Sequence, residues 1–297
     1  MCGIVGLYLK TDKYTNELGK MFVPMMEAMH NRGPDSAGFA IYHDKVSGND
    51  KKVMLQHPNE QFDWEKFVKQ MAQDLDGKVI VDNIRNTHAK CITDASESDV
   101  YEYIRNNKDE VSLMSIGKKI EIYKECGTPS EVVNKFSLAT MAGSHVIGHT
   151  RMATESAVTT QGSHPFSTGQ DLCLVHNGSF SNHYWWREIM RAKGQNIQTN
   201  NDTEVAAAYL AGSLADGKDL KSAMEGAVQD LDGFFTLACG TEEGFSVVRD
   251  EFACKPAVLA ETDDYVAIAS EYQALSTLPD IENAKLWEPE AGTVYSW

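Results

Sequence analysis

The sequence predicts an α+β fold in which stacked sheets lie between layers of helices. Three observations lead to this prediction: strand and helix patterns share the chain, the helices occur in groups and the strands in runs, and no segment repeats. With 297 residues, of which 42% are hydrophobic, the chain is long enough for one large core. We therefore expect a single domain over residues 1–297, with an inserted α/β segment at 43–140.

The first 42 residues predict a strand, a helix and a second strand. The strands cover residues 2–9 and 37–42. The helix covers residues 16–30, where apolar side chains recur at helical spacing: Leu18, Met21, Phe22, Met25, Met26 and Met29. A methionine stripe of this kind is typical of a helix surface that faces a core.

The segment 43–140 differs from its surroundings by its density of charged residues. Thr128, Pro129 and Glu131 make a capping box with proline at the first helical position, which predicts a helix from 129 to about 140. The other predicted elements are strands at 53–55, 79–84, 111–115 and 120–123, and helices at 63–75 and 96–107. We expect this segment to contact a partner; the alternative is that it only decorates the fold.

After residue 140 the pattern returns to regular strands and helices. Two strands come first, at 145–149 and 172–176. Three helices and a run of four strands follow: helices at 181–193, 203–215 and 219–230, and strands at 233–239, 245–249, 257–260 and 265–269.

Composition excludes several classes of function. The net charge of −16 argues against nucleic acid or an anionic membrane as a partner, because phosphate binding relies on clustered Lys and Arg. No apolar run reaches membrane-spanning length and the N-terminus lacks a signal-peptide pattern, so we expect a cytoplasmic location. The six cysteines form no CxxC pair, and we therefore expect neither a metal site nor a disulfide framework, and no cofactor.

Cys2 is the most informative residue. Once Met1 is removed, a thiol and a free α-amine sit on the same residue, which makes a nucleophile with its own general base. An α-amine and a thiol titrate within about one pH unit of each other, so proton transfer between them is nearly balanced near neutrality. Ile4 and Val5 predict a buried strand that holds this residue rigidly. The alternative is a cysteine that only packs in the core.

Four further segments contain the residue types of a catalytic or binding site. They are residues 31–38 (NRGPDSAG), 148–154 (GHTRMAT), 176–180 (HNGSF) and 201–205 (NDTEV). Each segment also has an ordinary structural explanation: an Arg32–Asp35 ion pair in a turn, Arg151 at a sheet edge, a turn at Asn177-Gly178, and a helix N-cap at Asp202.

Together with Cys2, the order and residue types of these segments resemble the class II glutamine amidotransferases, the glutaminase domains that use an N-terminal cysteine. The resemblance covers residues 2–42 and 141–297. It continues into later motifs: Arg249-Asp250, Lys255-Pro256, Ala269-Ser270-Glu271, Ala274-Leu275, Glu288-Pro289 and Gly292. The resemblance implies the αββα sandwich of the N-terminal-nucleophile (Ntn) hydrolases.

The resemblance also implies a set of substrate-binding residues. Arg151 pairs with the α-carboxylate of glutamine through its planar guanidinium, and Thr154 adds a hydroxyl donor to the same group. Asp202 pairs with the α-ammonium. His164 matches a histidine near the glutamine-binding loop of the family. Met152 replaces a tryptophan of some relatives, so we expect only its backbone to contribute.

For catalysis, the resemblance implies that the Cys2 thiol attacks the side-chain amide of glutamine. The Asn177 side chain and the Gly178 backbone N–H then stabilise the oxyanion. We expect His149 and His176 to be core histidines, because the terminal amine already supplies a base. Structural support beneath the nucleophile is expected from three residues of the turn after the first helix: Arg32, Asp35 and Gly38.

The sequence after these motifs offers no ammonia-accepting domain, which predicts a glutaminase subunit that delivers ammonia to a separate synthase. The long segment 43–140 resembles glutamate-synthase-like and N-methylglutamate-synthase-like proteins most, and a homo- or hetero-oligomer is expected. Two alternatives remain open at this point: an Ntn hydrolase for an amide other than glutamine, and a catalytically silent subunit that senses glutamine.

Overall fold

Two antiparallel sheets stack on each other in the computed structural model, which describes residues 2–107, 110–153 and 157–297. The strands are β1 (Gly3–Leu9), β2 (Ser36–Tyr42), β3 (Lys51–Gln56), β4 (Val79–Arg85), β5 (His88–Thr93), β6 (Ser112–Gly117), β7 (Ile120–Cys126), β8 (His145–Arg151), β9 (Cys173–Phe180), β10 (Gly233–Gly240), β11 (Phe245–Arg249), β12 (Val258–Glu261), β13 (Tyr265–Ala269), β14 (Lys285–Trp287) and β15 (Tyr295–Ser296). The helices are α1 (Leu18–Ala28), α2 (Trp64–Asp74), α3 (Glu97–Asn106), α4 (Pro129–Lys135), α5 (His183–Ala192), α6 (Asp202–Ala215), α7 (Leu220–Asp230) and α8 (Tyr272–Leu275).

The larger sheet has seven strands in the order β14-β12-β13-β1-β8-β2-β7, and the smaller has four in the order β15-β11-β10-β9. The N-terminal strand β1 lies inside the larger sheet, where it pairs antiparallel with both β13 and β8. Its first residue, Gly3, is opposite Thr150. The strand that follows Cys2 is therefore fixed on both sides by backbone hydrogen bonds.

Apolar side chains fill the space between the two sheets and beneath the helices. The predicted methionine stripe of α1 is buried in the core of the larger sheet together with Phe22. The smaller sheet is covered on its other face by α5, α6 and α7. Helix α6 is almost entirely buried. Because many of its side chains are the small ones of alanine, it can lie close to β9. This order of helix, sheet, sheet and helix confirms the predicted αββα sandwich.

The inserted unit forms a third sheet in the order β4-β5-β3-β6. Helices α2 and α3 pack on it around a core of its own. The sequence predicts an insertion over 43–140, but β7 pairs with β2 along its whole length and α4 contacts α1. The separate sheet therefore ends at Gly117, and β7 and α4 belong to the main sandwich.

The end of helix α4 differs from the prediction for a local reason. The capping box of Thr128 and Glu131 forms as predicted. Helix α4 nevertheless ends at Lys135, because Ser137 adopts a left-handed conformation (φ 53°) and a 3₁₀ turn follows. Within the described ranges, none of the helices combines the length and apolar character that crossing a bilayer requires.

Candidate functional site

Cys2 lies just before β1, the strand inside the larger sheet. Its thiol is partly exposed, and Sγ is 3.8 Å from the backbone oxygen of Met152. Two side chains fix its backbone: Arg32 Nε donates to the Cys2 carbonyl oxygen at 2.9 Å, and Asn177 Nδ2 donates to the same oxygen at 3.1 Å. The predicted nucleophile and the predicted oxyanion-binding asparagine are therefore direct neighbours.

A second layer of contacts holds Arg32 and β1 in place. Arg32 Nη1 forms a 2.8 Å ion pair with Glu271 Oε1. The neighbouring Ser270 exchanges two hydrogen bonds with Ile4, one through its hydroxyl and one through its backbone N–H, each at 2.9 Å. The sequence prediction quoted Ser270 and Glu271 as part of a motif but gave them no function. In the structure they support β1 and Arg32, which adjoin the predicted nucleophile Cys2.

Gly178 presents its backbone to the open edge of the smaller sheet. It is opposite Phe235 on β10. The N–H of Phe235 donates to the Asp250 carboxylate at 2.7 Å, and the carbonyl of Phe235 accepts from the Asp250 N–H at 2.9 Å. Opposite residues of an antiparallel ladder alternate between pairs that exchange hydrogen bonds and pairs that do not. Because both polar backbone groups of Phe235 bind Asp250, Phe235 and Gly178 form a pair without hydrogen bonds, and Gly178 points its N–H and C=O away from β10. The N–H of Gly178 therefore faces the outer side of β9, the last strand of this sheet among the described residues, where Phe166 pairs only with Leu174.

Only glycine fits position 178. Its φ is +147°, and a Cβ at this position would lie 1.9 Å from the carbonyl oxygen of Phe234. The residues two before and two after it have the same orientation. The N–H of His176 donates to His164 Nδ1 at 3.4 Å, and the N–H of Phe180 donates to Asp202 Oδ2 at 3.0 Å. Gly178 thus lies between a histidine cluster and the predicted ammonium-binding carboxylate.

Asp202 is the first residue of α6, and its side chain is 21% exposed. The sequence offered it as a possible N-cap, but the cap is Asn201, whose side chain accepts from the Thr203 N–H at 2.9 Å. The Asp202 carboxylate instead contacts β9: Oδ2 accepts from the Phe180 N–H, and Oδ1 lies 3.7 Å from His176 Nδ1. The carboxylate adds negative charge at the edge where Gly178 lies.

Arg151 ends β8 and is almost completely buried. Its Nη1 donates to the carbonyl of Ala157 at 3.3 Å. Asp35 fixes the backbone around it: the Asp35 N–H donates to the Arg151 carbonyl at 3.1 Å, and the Asp35 carboxylate accepts from the Ala153 N–H at 2.8 Å. Met152, between them, places its backbone oxygen against the Cys2 thiol. The predicted carboxylate ligand Thr154 lies outside the described residues.

His164 is part of a buried cluster of three histidines. Its ring stacks on that of His149 with centroids 4.0 Å apart, and its Nε2 contacts the Thr203 hydroxyl at 3.2 Å. The same hydroxyl is 2.9 Å from His176 Nδ1. Burial lowers the pKa of all three imidazoles, that of His149 to about 3, so they are neutral near pH 7. This geometry gives His164 contacts that position neighbouring elements.

Gly38 explains how the loop containing His164 approaches the larger sheet. A Cβ at position 38 would lie 2.3 Å from the His164 carbonyl oxygen and 2.4 Å from the Lys124 Cβ. The predicted structural role of Gly38 therefore corresponds to a close approach of backbone to backbone. Arg32 likewise contacts Cys2 directly, and Asp35 contacts the Arg151 segment directly.

Lys124 is a buried residue that the sequence prediction missed. Its ammonium lies beneath the loop after Arg151 and donates to three carbonyls, those of Gln161, Ser163 and Pro165, at 3.1, 2.8 and 3.1 Å. Burial lowers its pKa to about 7. One sequence pattern could have revealed Lys124: it follows Ile120 and Ile122 at the two-residue spacing of side chains that share the buried face of a strand.

Comparisons with known proteins show which family the chain resembles. Residues 149–277 match a family described as a glutamine amidotransferase domain. The chain is 52% identical over 299 residues to the glutamine amidotransferase-like protein GlxB of Rhizobium meliloti, covering 100% of this chain and 98% of that protein. It is 33% identical to a putative glutamine amidotransferase of Methanothermobacter thermautotrophicus, covering 99% of both chains.

Solved structures show the same fold. The glutamine phosphoribosylpyrophosphate amidotransferase of B. subtilis, solved with ADP and GMP, superposes with a TM-score of 0.63 at 18% identity. A structure described as the allosteric regulatory enzyme of purine biosynthesis gives 0.64 at 19% identity. Each covers 99% of this chain, which spans 47% and 46% of those longer chains.

Proposed function

Because this chain belongs to the class II glutamine amidotransferase family, we propose that it is a glutaminase subunit. It hydrolyses L-glutamine to glutamate and ammonia through a glutamyl thioester on Cys2, and a separate synthase subunit accepts the ammonia. The observation that carries this proposal is the convergence of Arg32 and Asn177 on the Cys2 carbonyl oxygen. These contacts fix the backbone of Cys2 next to Asn177, the residue before Gly178.

Glutamine binds by its two charged ends in this proposal. Arg151 pairs with the α-carboxylate, since a guanidinium offers two parallel N–H donors to a carboxylate. Asp202 pairs with the α-ammonium. The side-chain amide then extends toward Cys2, between the Met152 backbone and the edge of β9.

The chemistry proceeds by attack of the Cys2 sulfur on the amide carbon, which forms a carbon–sulfur bond and places negative charge on the amide oxygen. The Asn177 amide has two N–H donors. One binds the Cys2 carbonyl, and the other serves the oxyanion together with the Gly178 N–H. These donors are already oriented before glutamine binds, because β9 and β1 hold them.

Proton transfer uses the free α-amine of Cys2, which requires removal of Met1. The amine takes the thiol proton and passes it to the departing nitrogen, so the carbon–nitrogen bond breaks and ammonia leaves. Water then attacks the thioester, giving glutamate and restoring the thiol. In this scheme His149, His164 and His176 stay neutral and position the surrounding segments.

The proposal of a separate acceptor draws on the lengths of the relatives. The GlxB relative is matched over 98% of its own length. The matched region of the solved phosphoribosylpyrophosphate amidotransferase is 47% of that chain. The glutaminase unit thus occurs in relatives both as most of a chain and as one half of a longer chain. A glutamate-synthase-like or N-methylglutamate-synthase-like enzyme is the acceptor we propose.

The test is a direct assay of the purified chain that lacks Met1. Glutamine is supplied, and glutamate and ammonia are both measured. We expect equal amounts of the two products, and no turnover by Cys2→Ala at unchanged thermal stability. Faster turnover of an acylated amine than of glutamine would identify a different amide hydrolase. Saturable glutamine binding without turnover, alone and with the acceptor, would identify a sensor subunit.

A further inference from the structure

Two phenylalanines stand exposed beside the site. Phe234 on β10 is 49% exposed, and Phe252, in the turn after β11, is 70% exposed. Their rings contact each other edge to face, with centroids 5.4 Å apart. Side chains of this size are usually buried, so an exposed pair of them indicates a contact surface.

The strand register places this pair at the same end as Cys2. Phe235 and Leu237 belong to the core under the helices, and Ala238 belongs to the core between the sheets. Because side chains alternate along a strand, Phe234 shares the face of Ala238. It is paired with Ser179, next to Gly178, and it lies on the face from which Asn177 reaches Cys2.

The turn that carries Phe252 is rigid. The buried carboxylate of Asp250 accepts from the N–H groups of Phe252 and Ala253 at 2.8 and 3.1 Å, and from Phe235 on β10 at 2.7 Å. Arg249 donates to the carbonyls of Ala253 and Pro289. A side chain presented on a fixed turn loses little conformational entropy when a partner covers it.

A third exposed aromatic side chain follows a residue that is linked to Cys2 through Arg32. Tyr272, which begins α8, is 47% exposed. It follows Glu271, which forms an ion pair with Arg32, and Arg32 in turn donates a hydrogen bond to the Cys2 carbonyl. Cys2 is thus linked through Asn177 to the strand pair that carries Phe234, and through Arg32 to Glu271, the residue before Tyr272.

Carboxylates accompany each of these aromatic residues. Asp232 is exposed two positions before Phe234, Glu251 is exposed directly before Phe252, and Glu271 directly precedes Tyr272. Lys255 is the nearest cation along the chain after Phe252. The surface therefore has aromatic side chains at its centre and mostly negative charge at its border.

We propose that Phe234, Phe252 and Tyr272 form the docking surface for the ammonia-accepting enzyme, and that the docking face of this enzyme is apolar at its centre and bordered by Lys and Arg. The inference rests on the proposed function and names the partner surface of the same site. Ammonia leaves from Cys2, so an acceptor that covers the surrounding side chains receives it before it equilibrates with water. Aromatic anchors at the centre and charge at the rim are the usual anatomy of protein interfaces.

A second copy of this chain fits the surface poorly. In a two-fold symmetric dimer the same patch meets itself. The exposed carboxylates of Asp232 and Glu251 would then meet a patch that carries the same two negative charges. An acceptor with a basic rim has the complementary charge pattern.

The test begins with a photo-reactive phenylalanine analogue in place of Phe252, introduced in the native host. The matched control carries it at Ile80, which is 49% exposed on β4 of the inserted sheet. The protein captured at position 252 is identified by mass spectrometry and purified with the wild-type chain. We expect this protein to incorporate nitrogen from amide-labelled glutamine into its product, and we expect capture at position 252 but not at position 80.

The second measurement compares Phe252→Ser with Ile80→Ser. We expect Phe252→Ser to raise the Kd for the acceptor at least tenfold and to lower glutamine-dependent transfer of the label at limiting acceptor. Its hydrolysis of glutamine as an isolated chain, and the acceptor's use of free ammonium, should stay within twofold of wild type. Ile80→Ser should match wild type in all of these measurements.

Several results would overturn the docking surface. These are capture of a second copy of this chain at position 252, capture at neither position or equally at both, and unchanged transfer by Phe252→Ser. The proposed function fails separately, when the wild-type chain forms no glutamate from glutamine alone or with the acceptor. Normal hydrolysis by wild type, combined with unchanged transfer by Phe252→Ser, would reject the docking surface alone.

Discussion

At the start of β1, one carbonyl oxygen accepts hydrogen bonds from two side chains that are far apart in the sequence. Arg32 follows α1 and Asn177 lies on β9, and both donate to the carbonyl of Cys2. This arrangement fixes the backbone of Cys2 and leaves its thiol partly exposed. In the proposed mechanism the identity of residue 2 determines the reacting atom, and tertiary contacts determine its position.

Asn177→Ala tests the oxyanion site at this scale. Removal of one preorganised donor from an oxyanion site typically lowers kcat by about a hundredfold or more, and we expect that loss here with a smaller change in KM. Steady-state assays with glutamine measure it. Asn134→Ala, at an exposed position on α4, is the control and should keep wild-type kinetics. A kcat of Asn177→Ala within threefold of wild type would remove the side chain from the oxyanion site.

At the scale of elements, the loop after Arg151 depends on two parts of the fold. Lys124 on β7 binds the carbonyls of Gln161, Ser163 and Pro165. The side chain of Gln161 also reaches the inserted sheet, where it donates to Ser112 at 3.2 Å. The loop is thus held at its C-terminal end by the edge strand of the main sheet and by the inserted unit.

Lys124→Met tests this attachment. Methionine keeps the length of the side chain but donates no hydrogen bonds, so three carbonyls lose their partner. We expect KM for glutamine to rise at least tenfold, with a smaller effect on kcat, because Lys124 positions the loop and touches no reacting atom. Lys118→Met, at a residue that binds carbonyls of the loop at 48–50, is the control. A lower melting temperature of Lys124→Met with unchanged KM would show that Lys124 only stabilises the fold.

The elements that the sequence predicted well have strong local patterns. The methionine stripe of α1 and the capping box of α4 are examples, since both depend on residues within one or two helical turns. The assignment of β7 to the insertion failed because Lys124 and Glu125 give that strand a charged appearance. Lys124 can be buried there because a loop almost forty residues away supplies three acceptors, and local patterning does not contain that information.

The same distinction applies to the site. Cys2, Arg151, Asn177, Gly178 and Asp202 belong to segments whose residue types already suggest chemistry. The supporting contacts of Ser270, Glu271 and Asp250 are made with partners that only folding brings near: Ile4, Arg32 and the backbone of Phe235. The sequence therefore predicts which side chains can react, and the structure adds what positions them.

For the whole molecule, the buried histidines make stability depend on pH. His149 has a pKa of about 3 in the folded chain, against a usual value of about 6.5. Below pH 6.5 the unfolded chain binds a proton that the folded chain does not. The contribution of this residue to stability is therefore complete above pH 6.5 and decreases as the pH falls toward 3. His164 and His176 shift in the same direction.

His149→Gln tests this linkage. The free energy of unfolding is measured between pH 7.5 and 4.5, and its slope gives the number of protons taken up on unfolding. At pH 5 the variant should take up about one proton fewer than wild type. Asn134→Ala, at an exposed position on α4 and with no titratable group removed, is the control and should leave the slope unchanged. A slope of His149→Gln equal to that of wild type would show that His149 is already protonated in the folded chain.

The central claim is that the Cys2 thiol, with a free α-amine on the same residue, is the nucleophile. The most direct measurement is intact-mass and peptide analysis of the chain after treatment with an electrophilic analogue of glutamine. The account predicts one label per chain, on Cys2 of molecules that lack Met1, with loss of glutamine hydrolysis in proportion to labelling and protection by glutamine. Equal labelling of chains that retain Met1, or labels spread over several of the six cysteines, would contradict it.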